Sequence, residues 1–215
     1  MKTAPKYDKL TVVSLGPGAP DYILPAALAA IDEAEVVACG QRHLESFDAS
    51  GKEVHIVGTG GGKLTEVMAA VKAVYPYKKT ALVVSGDCGF YSLLSYARKV
   101  IGAAHVQAIP GVSSLTYLFA KIGRPWQDAA LISLHGRDQD LIGRVKRHGT
   151  VGVLTDDTHN TAYIAAALKA EGLEDKILYV GEDLSYPEER ITRLTTEEGL
   201  TFSERGMSVV IVTDE

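Results

Sequence analysis

The sequence predicts an α/β protein with a parallel sheet in its N-terminal half, and three observations carry that prediction. Short β-rich runs alternate with stretches of helical apolar spacing through the first half of the chain. Glycine-containing loops follow three of those runs, at Gly16-Pro17-Gly18, Ser85-Gly86-Asp87-Cys88-Gly89-Phe90 and Pro110-Gly111-Val112-Ser113-Ser114. The 215 residues are 46% apolar and 23% charged, enough to bury the core of one large domain or two small ones.

Taken in order, residues 10–15 read as the first strand, closed by the Gly-Pro-Gly turn. Residues 25–34 read as a helix, with Pro25 in the first turn, where a missing N–H costs nothing. Short strands follow at 36–39 and 54–57. A helix spans 63–74, with Leu64, Val67, Met68 and Val71 on one face. Residues 81–84 form a buried-type strand, 92–101 a helix, 106–109 a strand and 114–121 a helix. Gly123-Arg124-Pro125-Trp126 interrupts this rhythm and places the domains at 1–122 and 123–215. The second half shows strands near 130–134, 151–154, 177–180, 190–194 and 208–212, with helices at 139–146 and 161–171. Residues 191–194 lie close in sequence to the last strand, so an antiparallel pair between them is expected, within a mixed sheet.

Bulk properties narrow the function classes. No apolar run approaches the roughly 20 residues that span a bilayer. The polar stretch 1–9 has no apolar core of a secretory leader. A net charge of -5 argues against broad nucleic-acid binding. It also means that an anionic ligand needs a local basic patch. Cys39 and Cys88 have no metal-ligand spacing and read as two free thiols; no metal site is expected.

Each motif has a plain and a functional reading. Gly16 and Gly18 allow a ligand to approach backbone, or simply make a tight turn. They are no dinucleotide fingerprint, because the third glycine would fall at Asp21. The loop 58–63 fails as a phosphate loop, with Val57 at the first glycine position and Leu64 after Lys63. Asp87 can cap a helix or bind a ligand at a strand end. Ser113 and Ser114 can cap the next helix or hold a carboxylate or ribose. Arg42-His43 and His135-Gly136-Arg137 both follow strands, and an arginine there can pair a carboxylate through two hydrogen bonds or sit in solvent.

The order of these segments resembles the tetrapyrrole (corrin/porphyrin) methylase family over nearly the whole chain. That family shows G-x-G-P-G after the first strand, a G-D-P-type loop after the fourth and P-G-[IV]-S-S after the fifth. Here they stand as 14–18, 85–92 and 110–114. Within the family the chain is most similar to the precorrin-6Y C5-methylase branch. The marks are Gly40-Gln41-Arg42-His43-Leu44, residues 85–92, Ser133-Leu134-His135-Gly136-Arg137 and residues 181–190. Two positions depart from the family pattern: Ser14 replaces a glycine and narrows the approach to the first loop, and Cys88 replaces a proline and loosens the turn.

The resemblance implies two α/β domains with S-adenosylmethionine in the cleft between them, a homodimer and a cytoplasmic enzyme of cobalamin biosynthesis that methylates C5 of a corrin precursor. A separate C15-methylating decarboxylase is the implied partner activity. Carried over by position, the donor contacts are Pro17, Asp87, Phe90, Ser113, Ser114 and Leu154, beside the glycines Gly16 and Gly18. Arg42, His43, His135 and Arg137 are the expected substrate-binding residues, with Lys63 and Arg124 as weaker candidates. No catalytic base is named. The rivals are a methylase of the same fold acting on another ring position or as a diphthine synthase, and a non-catalytic tetrapyrrole- or nucleotide-binding protein. An NAD-type oxidoreductase is disfavoured by the failed fingerprint.

Overall fold

The structure is a computed structural model that describes residues 4–58 and 61–214. Residues 1–3 of the polar N-terminal stretch, and Thr59 and Gly60 of the glycine-rich loop, lie outside the described residues. The chain divides into two compact units, Met1–Ser113 and Ser114–Glu215.

The first unit is a five-stranded sheet: β1 (Leu10–Ser14), β2 (Val36–Gly40), β3 (Glu53–Val57), β4 (Thr80–Val84) and β5 (Val106–Ile109). Its order is β3-β2-β4-β1-β5, and every pairing is parallel. β1 (Leu-Thr-Val-Val-Ser) and β4 (Thr-Ala-Leu-Val-Val) are mostly apolar, and both strands are buried along their whole length. That is what a parallel strand with a helix layer on each face requires. Alternate side chains divide between two cores. Leu10, Val12, Leu82 and Val84 meet α2 (Leu64–Val74) and α3 (Leu94–Ile101), through Val67, Met68, Val71, Ala97 and Ile101. Val13, Ala81 and Val83 meet α1 (Pro25–Asp32), through Ala27 and Ile31. Pro25 opens α1 as the sequence predicts.

This topology positions a site. β1 and β4 are neighbours, yet the chain leaves β1 for a helix on one face and leaves β4 for a helix on the other. The loops beyond their carboxyl ends therefore part from each other, leaving the kind of crevice where open α/β sheets bind ligands.

The second unit opens with α4 (Ser114–Lys121), followed by β6 (Ala130–Ser133), α5 (Leu141–His148), β7 (Val151–Leu154), α6 (Thr161–Ala170), β8 (Ile177–Glu182), β9 (Arg190–Thr195), α7 (Thr196–Gly199) and β10 (Ser208–Thr213). The sheet order is β6-β7-β10-β8-β9; β6 and β7 are parallel and the other pairs antiparallel. The expected pair of β9 with the last strand does not form. β9 pairs with β8, placing Leu194 opposite Leu178, and β10 inserts between β7 and β8. The side chains explain this. β10 is apolar and almost wholly buried, so it takes a central place, while β9 carries arginines and threonines that suit an edge.

The unit boundary falls at Ser113/Ser114, whereas the sequence reading starts the second unit at Gly123. The reason is the packing of α4, which buries Leu115, Leu118 and Phe119 and lies on the second sheet. Gly152 of β7 and Gly181 of β8 leave the room: a Cβ there would sit 3.2 Å from Leu115 and 3.1 Å from Leu118 respectively. The Gly123–Pro125 break ends a helix rather than a unit. Replacing the fully buried Leu118 by Ala should cost about 2–5 kcal/mol, read by denaturant unfolding. The same change at Leu28, which is 39% exposed, should cost a small fraction of that.

Candidate active site

The three glycine loops converge because backbone is joined to backbone. Gly16 and Gly86 exchange both hydrogen bonds, N–H to carbonyl at 3.1 Å and 2.8 Å, as an isolated antiparallel bridge beyond the ends of two parallel strands. Both have φ in the left-handed region, +71° and +64°, where a side chain is strained. Gly111, from the loop after β5, packs on the same spot: a Cβ there would lie 2.5 Å from the Gly86 carbonyl oxygen and 2.6 Å from the Ser14 Cβ. A Cβ on Gly86 would stand 3.8 Å from Ser113 Cα. Gly16 and Gly111 are thus demanded by the packing of the protein on itself. Pro17, Gly18 and Phe90 are half-buried around this seat and Ser113 is buried.

The two departures from the family pattern meet each other. The Ser14 hydroxyl, fully buried, accepts the Cys88 backbone N–H at 2.9 Å. A proline at 88 would have no N–H to give, and a glycine at 14 no oxygen to take it. The expected loosening of the turn is therefore corrected: serine and cysteine replace a covalent restraint by a hydrogen bond. Asp87 is equally committed. Its carboxylate accepts the Gly89 N–H at 2.8 Å and the Gly111 N–H at 3.0 Å, so it ties its own turn to the loop after β5. It does not cap α3, which begins at Leu94.

Arg42 and His43 sit in a short 3-10 turn, Gln41–Glu45, directly after β2. Both reach across to the end of β4. Arg42 Nη2 donates to Ser85 Oγ at 2.7 Å, and His43 Nε2 lies 2.8 Å from the same oxygen. The Gly40 N–H donates to His43 Nδ1 at 3.2 Å, so Nδ1 carries no proton and Nε2 does. Burial, and then the Arg42 charge, lower the His43 pKa to about 4. His43 is consequently a neutral, orientation-locked donor at ordinary pH. It adds no positive charge, which corrects its expected part in a basic patch. Ser85, which sequence reasoning left unassigned, is the hub.

The remaining predicted residues lie in the second unit, where α4 begins at Ser114. Leu154 ends β7 opposite Val209 and Ser133. His135 and Arg137 are exposed in the loop after β6. His135 Nδ1 lies 3.0 Å from the Thr155 carbonyl, which accepts its proton. Asp156 organises that loop by accepting the N–H groups of Gly136, Thr158 and His159, and those bonds hold its carboxyl far below the usual range.

The segment 181–190 is a structural clamp. The buried Glu182 takes Arg190 through Nε at 2.8 Å and Nη2 at 2.6 Å, and the Arg205 N–H at 2.8 Å. Glu189 takes the Ser185 N–H and the Tyr117 hydroxyl, each at 2.6 Å, and Lys121 at 2.9 Å. These bonds hold Asp183 and Ser185 at φ +43° and +70°, which non-glycine residues rarely adopt. Lys63 is the N-cap of α2. Arg124 donates to Thr213 Oγ1 and stacks over Tyr179. Gly62 folds back onto the Ile56 carbonyl. Among the described residues no cluster of His, Cys, Asp or Glu could hold a metal.

Two predictions follow from this geometry. Ser14→Gly leaves the buried Cys88 N–H without a partner and should cost about 1–3 kcal/mol. Cys88→Pro likewise strands the Ser14 hydroxyl. The double variant should be more stable than the sum of the two losses predicts, and additive unfolding energies would contradict the coupling. For His43 the folded pKa lies below the unfolded 6.5. The unfolded chain thus binds the extra proton between those values. Stability is full above about pH 6.5 and falls as pH drops toward 4, by about 2–3 kcal/mol. His43→Gln should lose that part of the slope in denaturant unfolding between pH 4 and 7.

Comparison with known proteins agrees with the fold and the loop order. The profile of the tetrapyrrole (corrin/porphyrin) methylases matches residues 9–199. A cobalt-precorrin-7 C(5)-methyltransferase of Salmonella typhimurium is 34% identical over 206 residues, 96% of this chain and 99% of that one. A decarboxylating precorrin-6Y C(5,15)-methyltransferase of a Sinorhizobium species is 30% identical over 85% of this chain and 44% of its own length. The crystal structure of uroporphyrin-III C-methyl transferase from Thermus thermophilus, complexed with S-adenosylhomocysteine, superposes with a TM-score of 0.77 at 22% identity, covering 95% of this chain and 97% of that one. The chain belongs to the tetrapyrrole (corrin/porphyrin) methylases.

Proposed function

We propose that the protein is an S-adenosylmethionine-dependent C-methyltransferase of cobalamin biosynthesis that methylates C5 of a cobalt-precorrin-7-type corrin. The observation that carries this reading is the end-to-end match to the Salmonella C(5)-methyltransferase, together with three family loops joined at one point of the sheet. The Sinorhizobium match covers under half of that longer relative. A homodimer and a cytoplasmic location complete the proposal; the first is checked by light scattering.

The residues present suit the donor. Gly16, Pro17 and Gly18 offer backbone, Phe90 an aromatic face, Asp87 a negative charge and Ser113 a hydroxyl, all in the first unit; the other two proposed donor contacts, Ser114 and Leu154, belong to the second unit. When bound, S-adenosylmethionine supplies an already activated methyl group. What the protein adds is orientation, because a carbon nucleophile and a sulfonium methyl need only be held in line. Orientation of that kind supplies about 7–11 kcal/mol. The double clasp of Asp87 on Gly89 and Gly111 keeps the seat rigid, and Arg42, His135 and Arg137 attract the substrate's carboxylates.

Incubation with cobalt-precorrin-7 and methyl-labelled donor should yield a product one labelled methyl heavier, carried on C5 by NMR. S-adenosylhomocysteine should bind by calorimetry. A methyl on another ring carbon overturns the C5 assignment, and donor binding without turnover favours a binding protein.

A further inference from the structure

The Ser85 oxygen has two acceptor positions, and both are filled: one by Arg42 Nη2–H at 2.7 Å, one by His43 Nε2–H at 2.8 Å. What is left is the hydroxyl proton, and no described residue accepts it. A serine beside a histidine invites a nucleophile reading, but the geometry rejects it. His43 Nδ1 is occupied by the Gly40 N–H, so Nε2 carries the proton and cannot take another from Ser85. Ser85 is instead a one-way donor, half-buried, with the Arg42 guanidinium alongside. The group that matches a committed O–H donor next to a permanent cation is an acceptor-only anion, a carboxylate. The cluster spans the carboxyl ends of β2 and β4. The glycine seat lies at β4, β1 and β5, on the other side of β4. In a chain of net charge -5, such a local arrangement is how a polyanionic substrate is received.

We propose that Ser85, flanked by Arg42, seats one carboxylate of the corrin substrate, and that His43 is a positioning residue that fixes the direction of the Ser85 hydroxyl. This rests on the function proposed above.

The test compares wild type with Ser85→Ala, Ser85→Thr, His43→Leu and His43→Gln. It reads S-adenosylhomocysteine affinity by calorimetry and KM and kcat with cobalt-precorrin-7. Ser85→Ala should raise the corrin KM about tenfold, the worth of one charge-assisted hydrogen bond, while kcat and S-adenosylhomocysteine affinity hold. Ser85→Thr keeps the hydroxyl and should behave as wild type. His43→Leu should raise KM as Ser85→Ala does, and His43→Gln, whose amide can donate to Ser85, should recover most of it. If Ser85→Ala fails to fold, the His43 pair carries the same comparison. An unchanged corrin KM in Ser85→Ala and His43→Leu overturns the seat. A fall in S-adenosylhomocysteine affinity with corrin KM unchanged also overturns it, assigning the cluster to the donor's own carboxylate. An inactive wild type that still binds S-adenosylhomocysteine overturns the parent reading instead.

Discussion

The pair of hydrogen bonds between Gly16 and Gly86 is the constraint on which the candidate site depends. Parallel strands end with their chains diverging, since β1 and β4 send helices to opposite faces of the sheet. Without a tie the two loops would drift apart into solvent. The tie uses two residues with positive φ; a Cβ on Gly16 would meet the Tyr22 carbonyl oxygen at 2.7 Å, and the Gly111 backbone packs close against both glycines. Every other feature of the seat is fastened to this point: Asp87 to Gly111, Cys88 to Ser14, Ser85 to the turn after β2. A crevice that the topology makes wide is thereby given a rigid floor.

Much of this was legible in the sequence. Residues 10–15 read as a strand and 81–84 as a buried-type strand, and the helix period of residues 64–71 pointed to α2. The loop order identified the family. The unread parts depend on contacts between distant segments. The placement of β9 followed from which strand could tolerate an edge, a comparison that needs the whole sheet. The membership of α4 followed from glycines 152 and 181, far along the chain, whose missing side chains make its bed. The role of Ser85 was hidden because a serine between a strand and a glycine looks like an ordinary turn residue. Its partners lie 42 and 43 positions away. One signal was available: Ser14 and Cys88 both break the family pattern, and a paired break hints at a contact.

The second unit achieves rigidity by other means. Where the first unit uses glycine against glycine, the segment after β8 uses charge. The buried Glu182 is met by two guanidinium N–H groups and a backbone N–H, which satisfies a carboxylate that burial alone would penalise. Glu189 does the same for the adjoining turn with a hydroxyl, an ammonium and a backbone N–H, so that burial, which raises its pKa, is outweighed and the carboxyl titrates below its usual range. Strained residues Asp183 and Ser185 are the local cost, and they persist because both anchors hold them.

The contact between Ser14 and Cys88 also bears on how such a loop can change over generations. Starting from glycine and proline, the family's usual pair, a serine arriving first would bury a hydroxyl with no partner. A cysteine arriving first would expose an amide to the same fate. Either intermediate is less fit to fold than its ancestor or its descendant, so the two substitutions are bound into one event or must wait for a stability surplus elsewhere in the chain. Once both are in place the step resists reversal for the same reason. A pair of unremarkable small residues thus acts as a ratchet, and lineages carrying it should keep both or neither.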